Sequence, residues 1–247
     1  MPDQTEVPPP PPRPPHAHKG VFGTVVVVGG SPVMIGAPAI AAHAALRVGA
    51  GLVRIAAAVE LLGHVLTIEP SATGIAVDLH DDGDSAAETI ERELDERSVL
   101  AIGPGMGRGD AQRALVEALL RRPAPTVLDA DGLNNLAMLA DAAMVPRGPQ
   151  VWTPHPGEYH RLADAAALHH DPLDPETRPE AAGAMARTYN AVVVLKGEGT
   201  VVSDGDRCYV TDTGNPALAT AGTGDVLTGA IAGLIAQGMD RFDAAVL

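Results

Sequence analysis

The sequence predicts an α/β fold of three layers, helices over sheet over helices, with a mainly parallel central sheet and antiparallel strands at one edge. Three observations carry that prediction. From Gly20 onward, short Val-rich runs alternate with Ala-rich stretches of helical period, and Gly or Pro punctuates the junctions. Runs such as Thr24-Val25-Val26-Val27-Val28 are apolar without alternating, the pattern of strands covered on both faces. The strand-like runs between 191 and 211 follow one another too closely for crossover helices, which predicts the antiparallel edge.

Taken in order, residues 1 to 19 come first, and their composition, dominated by Pro8 to Pro12, Pro14 and Pro15, predicts a disordered, extended polyproline tail outside the core. The domain proper is expected over 20–247. Strands are predicted at 24–28, 52–56, 74–77, 99–102, 126–129, 151–153, 191–195, 200–203 and 207–211. Helices are predicted at 38–48, 85–94, 110–120, 134–139, 157–163, 180–189 and 224–236. Asp81-Asp82-Gly83-Asp84 and the 171–179 segment, with Pro172, Pro175 and Pro179, read as surface loops. The chain stops at Leu247, a few residues into a helix that begins at Phe242, so the domain's C-terminal end is expected to be incomplete.

Composition narrows the class of protein. A chain of 247 residues without a mid-chain linker is expected to form one domain, and with aromatics at only 2% its core must be built from Ala, Val, Leu and Ile. The net charge of −14 argues against nucleic acid and anionic membranes as partners, so an anionic ligand needs a locally arranged site. A single cysteine, Cys208, excludes an internal disulfide. No apolar run reaches the roughly 18 residues of a membrane span, and no apolar signal segment opens the chain. A cytoplasmic enzyme is the expectation.

The 219–230 segment, Ala-Thr-Ala-Gly-Thr-Gly-Asp-Val-Leu-Thr-Gly-Ala, carries the strongest chemical signal. Val226, Leu227, Ala230, Ile231, Leu234 and Ile235 make one apolar stripe of a helix, with Asp225 at its start. The first-turn N–H groups carry partial positive charge, and Gly222 and Gly224, lacking Cβ, let a phosphate approach them. Gly222, Thr223 and Gly224 are thus a candidate phosphate cradle. Asp225 is either the helix N-cap or a base aimed at a hydroxyl beside the bound phosphate.

In open α/β sheets ligands bind beyond the carboxyl ends of the strands, and five further motifs stand where a predicted strand gives way to a loop. They are Gly29-Gly30-Ser31 with Gly36-Ala37-Pro38, then Gly103-Pro104-Gly105-Met106-Gly107, Asp129-Ala130-Asp131-Gly132, Thr153-Pro154-His155-Pro156-Gly157-Glu158, and Lys196-Gly197-Glu198-Gly199-Thr200. Singly, each has a plain reading: tight turns for the glycines, capping of a helix at Asn134 for Asp129 and Asp131, a satisfied loop histidine for His155. Lys196, one of only two lysines among 17 basic residues, is either a solvated charge or an anion partner. The spacing is neither a dinucleotide fingerprint nor a Walker A loop, and the histidines show no zinc pattern.

Jointly these motifs resemble the ADP- or ATP-dependent NAD(P)H-hydrate dehydratase family, a branch of the ribokinase-like superfamily, from about Gly20 to Leu247. The resemblance rests on Gly36-Ala37-Pro38, Arg47 to Leu52, Ile102-Gly-Pro-Gly, Leu128-Asp-Ala-Asp-Gly, Thr153-Pro-His-Pro-Gly-Glu, Leu195-Lys-Gly, Gly214-Asn215 and Ala221-Gly-Thr-Gly-Asp-Val-Leu. It implies a repair reaction in which a nucleotide is spent to remove water from hydrated NADH or NADPH. By the same resemblance Lys196, Gly197, Glu198, Gly199, Thr200 and Gly224 match nucleotide-binding positions. Ala37, Gly105, His155 and Asp225 match positions that touch the hydrated dinucleotide, with Asp225 as the catalytic base. Glu158 stands where sugar kinases place a glutamate that acts on Mg²⁺ through water, while His155 replaces their Asn. The implied phosphoryl donor is ADP or ATP with Mg²⁺. The N-terminal segment is too short for the epimerase domain that precedes many relatives, so epimerisation is expected from a separate protein; a homo-oligomer is also expected. Two other readings stay open: a hydroxyethylthiazole- or hydroxymethylpyrimidine-type kinase, and a non-catalytic nucleotide-binding module, which would not need Asp225.

Overall fold

The computed structural model describes residues 6–78, 83–139 and 146–247. Strands β1 (Thr24–Val28), β2 (Leu52–Ala58), β3 (Thr73–Val77), β4 (Ser98–Ile102), β5 (Thr126–Leu128), β6 (Gln150–Trp152) and β7 (Ala191–Leu195) lie parallel, and β8 (Val201–Ser203) and β9 (Cys208–Val210) close one edge as antiparallel strands. The order across the sheet is β3-β2-β1-β4-β5-β6-β7-β8-β9. The winding therefore reverses between β1 and β4, the point at whose carboxyl edge open α/β sheets place their ligands.

Each strand of the sheet's centre is buried on both faces. Along β1, Val25 and Val27 enter one core with Ile55, Ile231 and Phe242, while Val26 and Val28 enter the other with Ile90, Leu115, Trp152 and Tyr159. Helices α1 (Gly36–Val48), α2 (Val59–Ile68), α8 (Thr223–Ala236) and α9 (Arg241–Val246) cover the first face; α3 (Gly83–Glu91), α4 (Asp110–Leu120), α5 (Ala130–Ala137), α6 (Pro156–Ala165) and α7 (Arg178–Tyr189) cover the second. With few aromatics, the cores rely on Val, Ile, Leu and Ala, and the exceptions cluster: the Trp152 and Tyr189 rings lie 4.6 Å apart.

Several local expectations need correction. Helix α2 runs on directly from β2 without a Gly or Pro break, and its Val59 and Ile68 are exposed, so no clean stripe announces it. Helix α5 starts at Ala130 rather than Asn134, because Ala130 takes a left-handed φ of 47° and turns the chain into the helix at once. Gly83 and Asp84 open α3 instead of standing in a loop, while Asp81 and Asp82 lie outside the described residues. Arg178 and Pro179 likewise belong to α7, and Arg178 is buried. In α8, Val226 is 47% exposed; the helix buries instead through Thr228, Gly229, Ile231, Ala232, Gly233, Leu234 and Ala236, wedged between α1 and the sheet. In the proline-rich segment, Arg13 donates to the Gly49 carbonyl at 2.9 Å and to Gln237 Oε1 at 2.8 Å, and lies over the Phe22 ring. Among the described residues no helix is long and apolar enough to cross a membrane.

The α1–α8 crossing is made by glycine. A Cβ at Gly229 would overlap the Ala41 carbonyl, and one at Gly233 would lie 2.9 Å from the Ala45 carbonyl oxygen, so the two backbones touch directly. Gly229→Ala is expected to destabilise the protein by about 2–3 kcal/mol through overpacking. Helix propensity alone would stabilise it by about 1 kcal/mol. The sign of the shift in the urea midpoint separates the two.

Candidate active site

The carboxyl edge of the sheet gathers the motifs into one place. Gly103, at φ 123°, brings the β4 loop against Asp129, and a side chain there would strike the Asp129 carbonyl. Gly105, at φ 62°, packs on the start of α1: a Cβ would lie 2.7 Å from the Met34 carbonyl oxygen and 2.9 Å from Ala37 Cβ. Ala37 and Gly105 are therefore neighbours. One turn further along α1, Ile40 approaches Gly222, its Cδ1 3.3 Å from where a Cβ would stand. The Gly105–Ala37 contact thus adjoins the opening of α8.

That opening is a cradle of unspent donors. Gly222 is the N-cap, in the left-handed region at φ 91°, which a side chain would strain. Asp225 is therefore not the cap; it sits in the first turn. The N–H groups of Thr223 and Val226 meet the Thr220 and Gly222 carbonyls, whereas those of Gly224 and Asp225 have no backbone acceptor among the described residues. Such a turn receives an anion.

Behind the cradle lies a charge cluster. Asp129, 1% exposed, accepts from Lys196 Nζ on Oδ1 at 2.7 Å and from Thr228 Oγ1 on Oδ2 at 2.8 Å. It caps no helix with its side chain. Lys196 is correspondingly not a solvated charge: its Nζ stands between Asp129 and Glu158, 3.9 Å from Glu158 Oε2. A Cβ at Gly224 would lie 3.6 Å from both Asp129 Oδ2 and Lys196 Nζ, which puts the cluster directly under the start of α8. Burial, together with the Asp129 carboxylate, pushes the Asp225 carboxyl up to about 6, with Lys196 opposing. Asp225 is thus a half-buried carboxyl that holds its proton well above the usual carboxylate range.

His155 and Glu158 form a reciprocal capping box on α6. The N–H groups of Gly157 and Glu158 donate to His155 Nδ1 at 3.0 and 3.3 Å, while the His155 N–H donates to Glu158 Oε2 at 2.8 Å. Since Nδ1 accepts, the ring proton sits on Nε2, 3.3 Å from Glu158 Oε1. Burial, then the Lys196 and Arg161 charges, hold the His155 imidazole below its usual range. Burial pushes Glu158 up to about 7 against the pull of Lys196. Among the described residues no group of three or more His, Cys, Asp or Glu could hold a metal. A hard cation carried on phosphate oxygens and water needs only one or two carboxylates, and the all-oxygen donor Glu158 suits that role.

Not every expected residue joins the cluster. Lys196 does, but Glu198 stands exposed in the loop after β7, where Gly199 is at φ 60° and Thr200 Oγ1 donates to the Gly197 carbonyl at 2.9 Å. The residues that sequence reasoning passed over are Thr228 and, as a site residue, Asp129. Their partners are 99 and 67 positions apart along the chain, and only the strand-end position of Asp129 hinted at it.

The fold keeps a proton on Asp225 that an unfolded chain would release, so stability falls as pH rises from about 4 through 6 and the cost is complete above that window. Asp225→Asn removes this cost. After discounting for solvent around a half-buried group, it should add about 1 kcal/mol, roughly 2–4 °C in Tm at pH 8. Thermal melts should show the gap closing as pH falls toward 4. An unchanged Tm at pH 8 contradicts the assignment.

Comparison with known proteins agrees with this geometry. A family model described as NAD(P)H-hydrate dehydratase matches residues 25–247. The chain is 43% identical over 239 residues to the bifunctional NAD(P)H-hydrate repair enzyme Nnr of Moorella thermoacetica, covering 93% of this chain but 44% of that protein. It thus spans less than half the length of that bifunctional relative. The ADP-dependent (S)-NAD(P)H-hydrate dehydratase of Neisseria meningitidis is 37% identical over 236 residues, covering 93% of this chain and 74% of its own length. The ADP/ATP-dependent NAD(P)H-hydrate dehydratase of Bacillus subtilis, co-crystallized with ATP/Mg²⁺, superposes with a TM-score of 0.77 at 32% identity, over 96% of this chain and 80% of that one. The motifs, the three-layer sheet and these relatives agree: the chain belongs to the NAD(P)H-hydrate dehydratase family, with a ribokinase-like fold.

Proposed function

We propose that this chain uses ADP or ATP to dehydrate the S epimer of hydrated NADH or NADPH, restoring the dihydronicotinamide. The observation that carries the reading is Asp225: a half-buried carboxyl pushed up to about 6, beside the unspent N–H groups of the α8 turn. Binding a nucleotide needs the donors. It does not need a near-neutral base among them.

The chemistry follows from leaving groups. The hydrate carries a hydroxyl at C6, and hydroxide leaves poorly near neutral pH, whereas phosphate leaves well. Asp225 takes the hydroxyl proton as the oxygen attacks the terminal phosphorus of the nucleotide, releasing AMP from ADP or ADP from ATP. The first-turn N–H groups of α8 stabilise charge on the transferred phosphoryl, a kind of donor worth roughly 10²–10³ in rate. The ring nitrogen then pushes phosphate out from C6, and loss of a proton from C5 forms the double bond. Lys196 and the loop to Thr200 hold the nucleotide; Ala37, Gly105 and His155 line the hydrate's side. Mg²⁺, when bound, screens the phosphate charges, and Glu158 is the side chain suited to hold it through water.

A site that presents one base to C6 accepts one stereoisomer, so interconversion of the epimers falls to a separate catalytic unit. Both substrates are small metabolites, and we place the reaction in the cytoplasm.

Incubating hydrated NADH with Mg²⁺ and either ADP or ATP in parallel should regenerate the dihydronicotinamide absorbance with at least one of them. Asp225→Ala should lose at least 10³-fold in kcat while keeping its nucleotide Kd within a few-fold. Near-normal turnover in Asp225→Ala would falsify the base assignment. Lys196→Ala should raise the nucleotide KM about tenfold or more, the scale of one charged hydrogen bond to phosphate.

A further inference from the structure

Arg178 opens α7 with its side chain inside the protein, only 6% exposed. Its guanidinium is spent on carbonyls: Nη1 donates to Pro172 O at 2.7 Å, and Nη2 to Leu195 O at 2.9 Å and Lys196 O at 3.2 Å. Among the described residues no carboxylate pairs with it, and Nε is buried without a partner. Burial holds its pKa below the usual range. A desolvated, unneutralised cation is costly, and three carbonyl contacts offset only part of that cost.

The place where it is spent is specific. Leu195 ends β7, and Lys196 and Gly197 begin the loop that the proposed function assigns to the nucleotide. The Lys196 N–H is held by the Pro154 carbonyl at 2.9 Å, and its carbonyl by Arg178, so both peptide groups flanking Lys196 are fixed. Its side chain can then reach Asp129. Gly197, at φ 145°, runs over the guanidinium, and a Cβ there would lie 3.1 Å from Nη2. A planar fork can bridge consecutive carbonyls from beneath a strand end, which a lysine ammonium does less well.

We propose that Arg178 is a positioning residue for the nucleotide, acting through the backbone of Leu195, Lys196 and Gly197. This rests on the nucleotide reading of that loop. Direct calorimetric titration of ADP into the intact protein tests it independently of turnover, so failure of the dehydration assay and failure of this proposal remain distinguishable.

Arg178→Lys, which keeps the charge, and Arg178→Gln, which keeps one donor group, should each raise the Kd and KM for ADP about tenfold. KM for the hydrated dinucleotide should stay within twofold. A purely structural role predicts something different: fewer active molecules, hence lower kcat and Tm with both KM values unchanged. An ADP Kd within twofold of the parent in either folded variant overturns the proposal. So does failure of both variants to give a cooperatively melting protein, which would make Arg178 a folding element.

Discussion

The site depends on how one buried carboxylate is satisfied. Asp129 at the end of β5 cannot stay in a dry interior without partners, and it takes one from each side: Lys196 from β7 on one oxygen and Thr228 from α8 on the other. Those two bonds tie the loop after β7 to the helix bearing Asp225. They also leave Asp129's field close to Asp225, where it adds to burial in raising that carboxyl to about 6. The carboxylate that joins these elements thus also loads Asp225, and the fold gives up stability to keep Asp225 where it is.

Topology decides what meets this cluster. The sheet reverses direction between β1 and β4, and the loops after those strands meet there: the Gly30 N–H donates to the Pro104 carbonyl at 2.9 Å, and Gly105 packs against the start of α1. The N-terminal half thus supplies a small-residue surface at Ala37 and Gly105. The C-terminal half supplies Lys196 and Asp225. Asp225 lies where the two meet, on α8, which packs along α1.

Much of this was legible in the sequence, because strands buried on both faces and glycines at strand ends are local signals. All nine strands stand where the Val-rich runs put them, and every motif named at a strand end lies on the carboxyl edge. Helix α2 was not legible, since it has no break before it and no clean apolar stripe. Asp129 was ambiguous because a carboxylate at a helix start looks like a cap, and the partners that redirect it are 67 and 99 residues away. The box formed by His155 and Glu158 was local, yet it is a histidine in a place where Ser or Thr is the usual cap, so the pattern hid it. Arg178 read as part of a proline-rich loop. Only the packed structure turns it inward.

The glycine crossing of α1 and α8 has a consequence for how the protein comes to exist. Ala41 and Gly229 are brought into backbone contact across most of the chain's length, so their meeting closes one of the largest loops in the fold. During synthesis the sheet's first strands and α1 emerge long before α8, and until α8 arrives the alanine face of α1 has no cover. Asp225, the unspent first-turn N–H groups and the cover for that face all travel on the same helix. A nascent or truncated chain lacking it is therefore a sticky intermediate, and Asp225 arrives together with the burial that covers α1.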